Sequence, residues 1–297
     1  MQSVKTYIWS AIYWLAGRLS PKMLVSIHFR RAYGYWLDWK HPKDINEKIN
    51  WLKFYGDTSR WTDLADKYRV RDYVTACGLG DMLVPLLGKW DKARDIDWNK
   101  LPSQFVMKTN HGSGDALICR DKALIDTAMM TQQFDKLLHQ KFGQTMGEPH
   151  YNRISPCIIA EKFLDNSQQK VESTSLVDYK IWTFDGKPAY IWACHNRTKH
   201  SCNVGVYDLD WNFHPEYSNS TSHYVLSSKP IARPDSLEQM LEAAAILSKG
   251  FPELRVDFYE VDGKPYFGEL TFTSASGFNS FYTPEFRRIL GDMVKID

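Results

Sequence analysis

The sequence has no long apolar run, no C-x-x-C pair, no internal repeat and no low-complexity tract. Each absence removes a class of protein. The most apolar stretch, YIWSAIYWLAG at residues 7–17, is about half of the roughly 20 residues that a membrane-crossing helix needs. No clear small-residue cleavage site follows it, which argues against a secretory signal. The five cysteines (Cys77, Cys119, Cys157, Cys194 and Cys202) are scattered, so a reduced, cytoplasmic chain is expected. A net charge of +2 over 297 residues carries no electrostatic footprint for nucleic acid.

Acid is missing in one place. The first 37 residues hold Lys5, Arg18, Lys22, Arg30 and Arg31 and no Asp or Glu, which leaves 32 basic against 35 acidic residues elsewhere. A basic, aromatic-rich helix without acid suits an anionic surface such as the inner face of the plasma membrane. That reading gives residues 1–31 a peripheral membrane contact. The plainer alternative packs Trp9, Ile12 and Trp14 into the core of the main domain.

What is present supports a sizeable core: 43% of residues are hydrophobic and 14% aromatic. Residues 1–60 read as helical. Asp44 and Glu47 form a capping-box pattern before the stripe Ile45, Ile49, Leu52 and Tyr55, and a second helix is predicted from Thr62 to Ala76. From about residue 104 strands dominate: QFVMK, ALIC, CIIAEKF, KIWTF and PAYIWAC. Helices are predicted near 127–142, from Ser236 to Ser248, and from Pro284 to Val294 behind Thr283 as cap. Helices followed by mixed strands and helices predict an α+β fold.

RVDFYEVDGKPYFGELTF, residues 255–272, reads as a hairpin. Two acids, Asp257 and Glu269, lie inside strands that should be buried. A three-residue turn, Asp262-Gly263-Lys264, pairs Asp257 with Glu269 and Arg255 with Thr271, all on one face. Like charges opposite one another repel. A divalent cation such as Mg²⁺ relieves this through hard oxygen ligands; an Asp257–Arg255 ion pair beside an exposed Glu269 is the alternative. The tetrapeptide DGKP also occurs at 185–188, one turn device used twice.

FVMKTNHGSGDALIC, residues 105–119, sets Lys108 before a Gly112-Ser113-Gly114 loop. Loop N–H groups and a lysine suit a phosphate. It is not a Walker A loop, because the lysine precedes the glycines and no helix opens after them. Rival motifs are weaker. Asp208-Leu209-Asp210 is the short D-x-D pattern of many glycosyltransferases, placed at a strand edge and turn. His195, His200 and His214 have no zinc spacing. Arg197 suits a carboxylate clamp or a plain surface position.

In order, the lysine before a glycine loop, the strand ending Glu161-Lys162-Phe163-Leu164 and the late acid pair resemble the ATP-grasp superfamily. With NEKINWLKFYGD, DKYRVRDYV and VDFYEVDGKPYFGELTF, residues 40–297 resemble its TupA-like branch, named for teichuronopeptide synthesis. The resemblance implies an ATP-grasp catalytic domain over 61–297, with subdomains at about 100–160 and 161–297. It implies that Lys67 reaches a phosphate from before the grasp domain and that Lys108 contacts phosphates beneath the loop Gly112, Ser113 and Gly114. It implies that Glu161, Lys162, Phe163 and Leu164 read adenine and that Asp178 binds ribose. Lys180 becomes a further phosphate contact, and Arg255 a holder of the transferring phosphoryl group or an acyl phosphate. Asp257 and Glu269 become magnesium ligands, joined by Thr271 where many members carry Asn. The implied activity is an ATP-dependent carboxylate–amine ligase acting through an acyl phosphate. Its expected partners are a uronic acid in a glycan, lipid-linked or nucleotide sugar of a capsule or O-antigen, and an amine or amino acid. The alternatives are a phosphotransferase, a glycosyltransferase and a non-catalytic assembly module.

Overall fold

The computed structural model describes Tyr13 and residues 20–296. The roles expected of Trp9, Ile12 and Trp14 lie outside the described residues. Among those described, no helix is long and apolar enough to cross a membrane.

Helix α1 (Pro21–Tyr33) opens on Ser20 with proline at its first turn and closes on Gly34. Helix α2 (Ile45–Tyr55) carries the expected capping box: Asp44 accepts the Glu47 N–H at 3.0 Å, and the Glu47 carboxylate accepts the Asp44 N–H at 3.3 Å. The helix predicted over 62–76 is interrupted. Helix α3 (Trp61–Ala65) stops at Asp66, and α4 (Val70–Ala76) starts after Arg69. The buried Asp66 carboxylate accepts the N–H groups of Tyr68 and Arg69 at 2.8 and 3.2 Å. An aspartate that satisfies the first donors of a new helix competes with continuation of the old one.

Strands β1 (Leu86–Trp90), β2 (Phe105–Thr109), β3 (Leu117–Cys119) and β4 (Ile158–Lys162) form a four-stranded sheet in the order β1-β4-β2-β3. Helix α5 (Thr127–Leu138) covers it through Phe134, which shares a core with Phe105, Met107, Ile158 and Ala160. The sheet draws in Leu86–Trp90 from upstream of the strand-rich region read in the sequence.

The larger sheet contains β5 (Asp178–Phe184), β6 (Lys187–His195), β7 (Cys202–Tyr207), β8 (Tyr224–Leu226), β9 (Leu254–Val261) and β10 (Lys264–Thr271). Its order is β10-β9-β5-β6-β7-β8. Helix α6 (Leu237–Ser248) and helix α7 (Pro284–Met293) join its core. Thr283 caps α7 as expected, accepting the Phe286 N–H. Two sheets, each with its own main core, make the α+β architecture. Residues 61–85 run between the lobes, and Leu83 bridges to Phe267 on β10.

Both DGKP segments turn through two residues. Asp185 and Gly186 take φ of 47° and 77°, and Asp262 and Gly263 take 52° and 67°. Two consecutive left-handed residues define the tight turn whose twist matches a hairpin. The three-residue turn expected at 262–264 is therefore corrected: Lys264 already pairs with Val261. The expected facing of the acids is nonetheless present, because the register shifts at Gly268. Phe267 faces Phe258, and beyond the bulge Glu269 faces Asp257 and Thr271 faces Arg255. A Cβ at Gly268 would lie 3.0 Å from the Asp257 carbonyl oxygen, so a side chain there would crowd the facing strand at the bulge.

Candidate active site

Three adjacent strands set the acids among cations. Lys180 on β5 faces Asp257 on β9, which faces Glu269 on β10. Strand alternation puts Arg255 and Thr271 on the same side one pair further along. Arg255 grips Asp257 with both arms of its fork: Nε donates to Oδ1 at 2.7 Å and Nη2 to Oδ2 at 2.8 Å. Lys180 Nζ donates to the same Oδ2 at 2.5 Å. Glu269 lies 3.6 Å from Arg255 and 3.7 Å from Lys67. The repulsion between the acids is thus offset by three cations, and the Arg255–Asp257 ion pair weighed from the sequence is present, beside a Glu269 that is half-exposed where that alternative had it exposed.

Burial separates the two acids. Asp257 is 1% exposed, whereas the Glu269 side chain is 38% exposed. Burial alone would raise the Asp257 pKa, but Arg255 and Lys180 outweigh it and hold the carboxyl below its ordinary value. Burial works against the charge of Lys180, yet Asp178 and Asp257 raise its pKa above the usual ammonium range. Both groups stay charged at neutral pH, so the face is a preorganised ionic cluster.

Lys67 connects this face to the other lobe. It projects from the break between α3 and α4, and its N–H donates to Asn110 O at 3.1 Å. Its ammonium donates to Gly112 O at 2.7 Å. One side chain therefore spans from the glycine loop to Glu269. The loop is stapled by Asp115, whose carboxylate accepts the Thr109 N–H at 3.1 Å and the Thr109 hydroxyl. Asp115 was not singled out from the sequence, although an acid directly after a glycine loop was the available signal.

On the smaller sheet, Lys108 pairs with Glu161 at 2.7 Å, and Arg71 reaches the other Glu161 oxygen at 3.2 Å. Arg71 was also missed; its spacing of four from Lys67 in DKYRVRDYV was the signal. The Lys162 N–H donates to Pro85 O at 2.9 Å. That bond ties the end of β4 to the segment entering β1. The Phe163 ring lies under the Arg120 guanidinium at 5.0 Å, and Leu164 is buried with Val84 and Val261. Asp178 is held by Arg197 at 2.6 Å and Lys180 at 3.4 Å. Arg197 is thus an ion-pair partner of Asp178, and its side chain stays half-exposed.

Asp257 and Glu269 set carboxylate oxygens on one face, the ligand type a hard divalent cation takes, but both Asp257 oxygens are engaged by Arg255 and Lys180, and only Glu269 is half-exposed. No cluster of three or more His, Cys, Asp or Glu residues that could hold a metal occurs among the described residues. A cation here would draw its remaining ligands from a bound nucleotide or water. The D-x-D segment falls elsewhere. Asp208 accepts hydrogen bonds from the Asn212 N–H and side-chain amide at 2.8 Å each, which accounts for it as a turn.

Two lobes, a lysine-bearing glycine loop on one and an acid ribbon on the other, define an ATP-grasp protein. The family model for TupA-like ATP-grasp proteins matches residues 47–295, and the chain belongs to that family. A search of the curated proteins returns no match. Among solved structures the chain is similar to D-alanine–D-alanine ligase from Bacillus anthracis, at 17% identity and a TM-score of 0.46, over 78% of this chain and 66% of that one. It is also similar to L-amino acid ligase from Bacillus licheniformis, at 13% identity and a TM-score of 0.47, over 91% and 61%. The chain thus spans just under two thirds of the length of these structures.

Proposed function

We propose that this protein is an ATP-dependent carboxylate–amine ligase, and that its carboxylate substrate is a uronic acid of a surface polysaccharide. Family membership supports the ATP chemistry. The observation that carries the site is Lys67, whose ammonium meets both the Gly112 carbonyl and Glu269. It brings a phosphate-type loop to within one side chain of the acid ribbon.

In this reading ATP enters between the lobes. Lys67, Lys108 and the N–H groups of Gly112, Ser113 and Gly114 hold its phosphates, exchanging their present carboxylate and carbonyl partners for phosphate oxygens. Phe163, Leu164 and the 161–162 strand end border adenine, and Asp178 faces ribose. Asp257 and Glu269, with Thr271 beside them, would hold Mg²⁺, which supplies charge shielding between phosphate groups when bound. A substrate carboxylate oxygen attacks the terminal phosphorus, the bond to the bridging oxygen of ADP breaks, and an acyl phosphate forms. An amine then attacks the acyl carbon, phosphate leaves, and the amine proton passes to solvent. Arg255 and Lys180 stabilise the charge on the transferring group, and Arg197 takes the carboxylate of the incoming substrate through its exposed edge. The basic N-terminal stretch, residues 1–31, brings the enzyme to the inner membrane face, where a lipid-linked acceptor resides.

The test is a screen of uronic acid glycosides against amines and amino acids, reading ADP and product mass. Amine-dependent ADP release with an amide-sized mass gain is expected. ADP release with a phosphate-sized gain makes the protein a phosphotransferase instead. No stabilisation by MgATP in thermal unfolding refutes ATP chemistry altogether. Liposome sedimentation with and without residues 1–31 checks the membrane contact; equal pelleting removes it.

A further inference from the structure

We propose that helix α2 is a working part of the transfer site, with Asn46, Asn279 and Ser274 acting as positioning residues for Arg255. The inference rests on the role given to Arg255 above. Asp257 fixes one edge of the Arg255 fork. The other edge is fixed elsewhere: Nη1 donates to Ser274 Oγ at 2.9 Å. A hydroxyl carries a single proton, and that of Ser274 goes to Asn279 Oδ1 at 2.7 Å. Ser274 therefore presents lone pairs to the guanidinium.

Asn279 is held in turn from α2. Its backbone N–H and its Nδ2 both donate to Asn46 Oδ1, at 3.0 and 2.8 Å. Asn46 Nδ2 donates to the Tyr33 hydroxyl at 2.8 Å. Asn46, Asn279 and Ser274 are wholly buried, so water cannot replace a lost partner. Each amide has one workable orientation. Flipping Asn46 would set donors against donors at Asn279, and flipping Asn279 would set two oxygens together at Asn46. The direction of every bond from α2 to Arg255 is thereby determined.

The turn that carries these residues closes its own short hydrogen bonds, Ser276 N–H to Thr273 O at 2.8 Å and Phe278 N–H to Ala275 O at 2.9 Å, over a strained backbone. Ala275 and Ser276 adopt φ of 46° and 55°, a left-handed backbone that neither residue favours. Helix α2 grips it further: Asn50 Nδ2 donates to Gly277 O at 2.9 Å, and Lys53 Nζ to Ser276 O at 2.6 Å. From the other side Glu148 accepts the Ser276 hydroxyl at 2.9 Å. An arginine that must meet a transferring phosphoryl group gains from a fork already in place, because no reorganisation is then needed at the moment of transfer.

Ser274→Ala and Asn46→Ala test the chain. Asn46→Asp keeps the oxygen acceptor, and the Tyr33 hydroxyl can turn to donate to it. Asn50→Ala loosens the same turn and removes a bond to the Asn46 carbonyl, but leaves every side-chain hydrogen bond from Asn46 to Arg255 in place. The readouts are unfolding temperature, ¹⁵N relaxation of the Arg255 Nε–H (assigned through Arg255→Lys) and the rate of MgATP hydrolysis. Ser274→Ala and Asn46→Ala are expected to lower the Arg255 order parameter and to slow hydrolysis about tenfold, with KM for ATP within about twofold. Asn46→Asp and Asn50→Ala are expected to stay within about twofold of the parent rate. An Arg255 as rigid in folded Ser274→Ala as in the parent overturns the proposal. So does an Asn50→Ala loss equal to that of Asn46→Ala, which would make the effect one of turn stability. If Asn46→Ala does not fold, Ser274→Ala decides by the same criterion. A parent protein indifferent to MgATP sinks the ligase reading, while the relaxation result still decides the positioning.

Discussion

Removing one charge from each acid in turn separates what Asp257 does for the fold from what Glu269 does. Asp257→Asn leaves Arg255 and Lys180 facing a neutral group in a site where all three side chains are nearly inaccessible. Breaking a buried pair costs roughly 3–5 kcal/mol. The Asn carbonyl still accepts one bond and Glu269 stays 3.6 Å from Arg255, so the low end, about 3 kcal/mol, applies. At roughly 2 °C per kcal/mol for a chain of this size, the unfolding temperature should fall by about 6 °C. Glu269→Gln removes a charge that is 38% exposed and should cost about 1 kcal/mol or less. Both variants should lose turnover. The pH dependence has a definite sign. The folded Asp257 pKa is depressed, so its contribution is present above the unfolded carboxyl value of about 3.9 and is lost as pH falls through the folded value. The stability gap between parent and Asp257→Asn should therefore close in acid. Calorimetry across pH checks this; equal destabilisation by the two variants, or a gap that widens in acid, would refute the buried cluster.

Two other outcomes follow from single positions. Gly268→Ala forces a Cβ to 3.0 Å from the Asp257 carbonyl oxygen and 3.4 Å from the Tyr259 ring. It should destabilise by about 1–3 kcal/mol and depress turnover by moving Glu269; a variant with the parent's melting curve and rate would show that the bulge is dispensable. His150 is buried against Trp61 with its Nε2 unpartnered, and burial pushes its pKa down from 6.5 to about 3. A neutral folded imidazole that charges on unfolding loses stability as pH falls from about 6.5 toward 3. His150→Gln should flatten the pH dependence of the unfolding temperature over that window, and an unchanged slope would place the acid sensitivity elsewhere.

Local chemistry was the readable part. The Asp44–Glu47 capping box, the Thr283 cap and the two Asp-Gly turns each complete their hydrogen bonding within a few residues, so residue order suffices to recognise them. The facing of Asp257 and Glu269 was read correctly through an incorrect turn. One displaced residue at the turn has the same effect as one bulged residue at Gly268 further along. Sequence alone does not distinguish these, because both give the same facing and the bulge shows only in the register between strands. The helix break at Asp66 was legible in principle but outweighed by the apolar stripe on either side.

By itself the sequence determined which groups are available: the alternating strands, the lysines beside glycines, and two acids on a ribbon. Their partners were decided only in three dimensions. Glu161 is shared by Lys108 and Arg71, Lys67 spans to Glu269, and Asn279 meets an asparagine 233 residues earlier. The asparagine pair is wholly buried, where no water can satisfy it, and that constraint, like the approach of the ion pairs, exists only once both lobes and α2 have closed around the site.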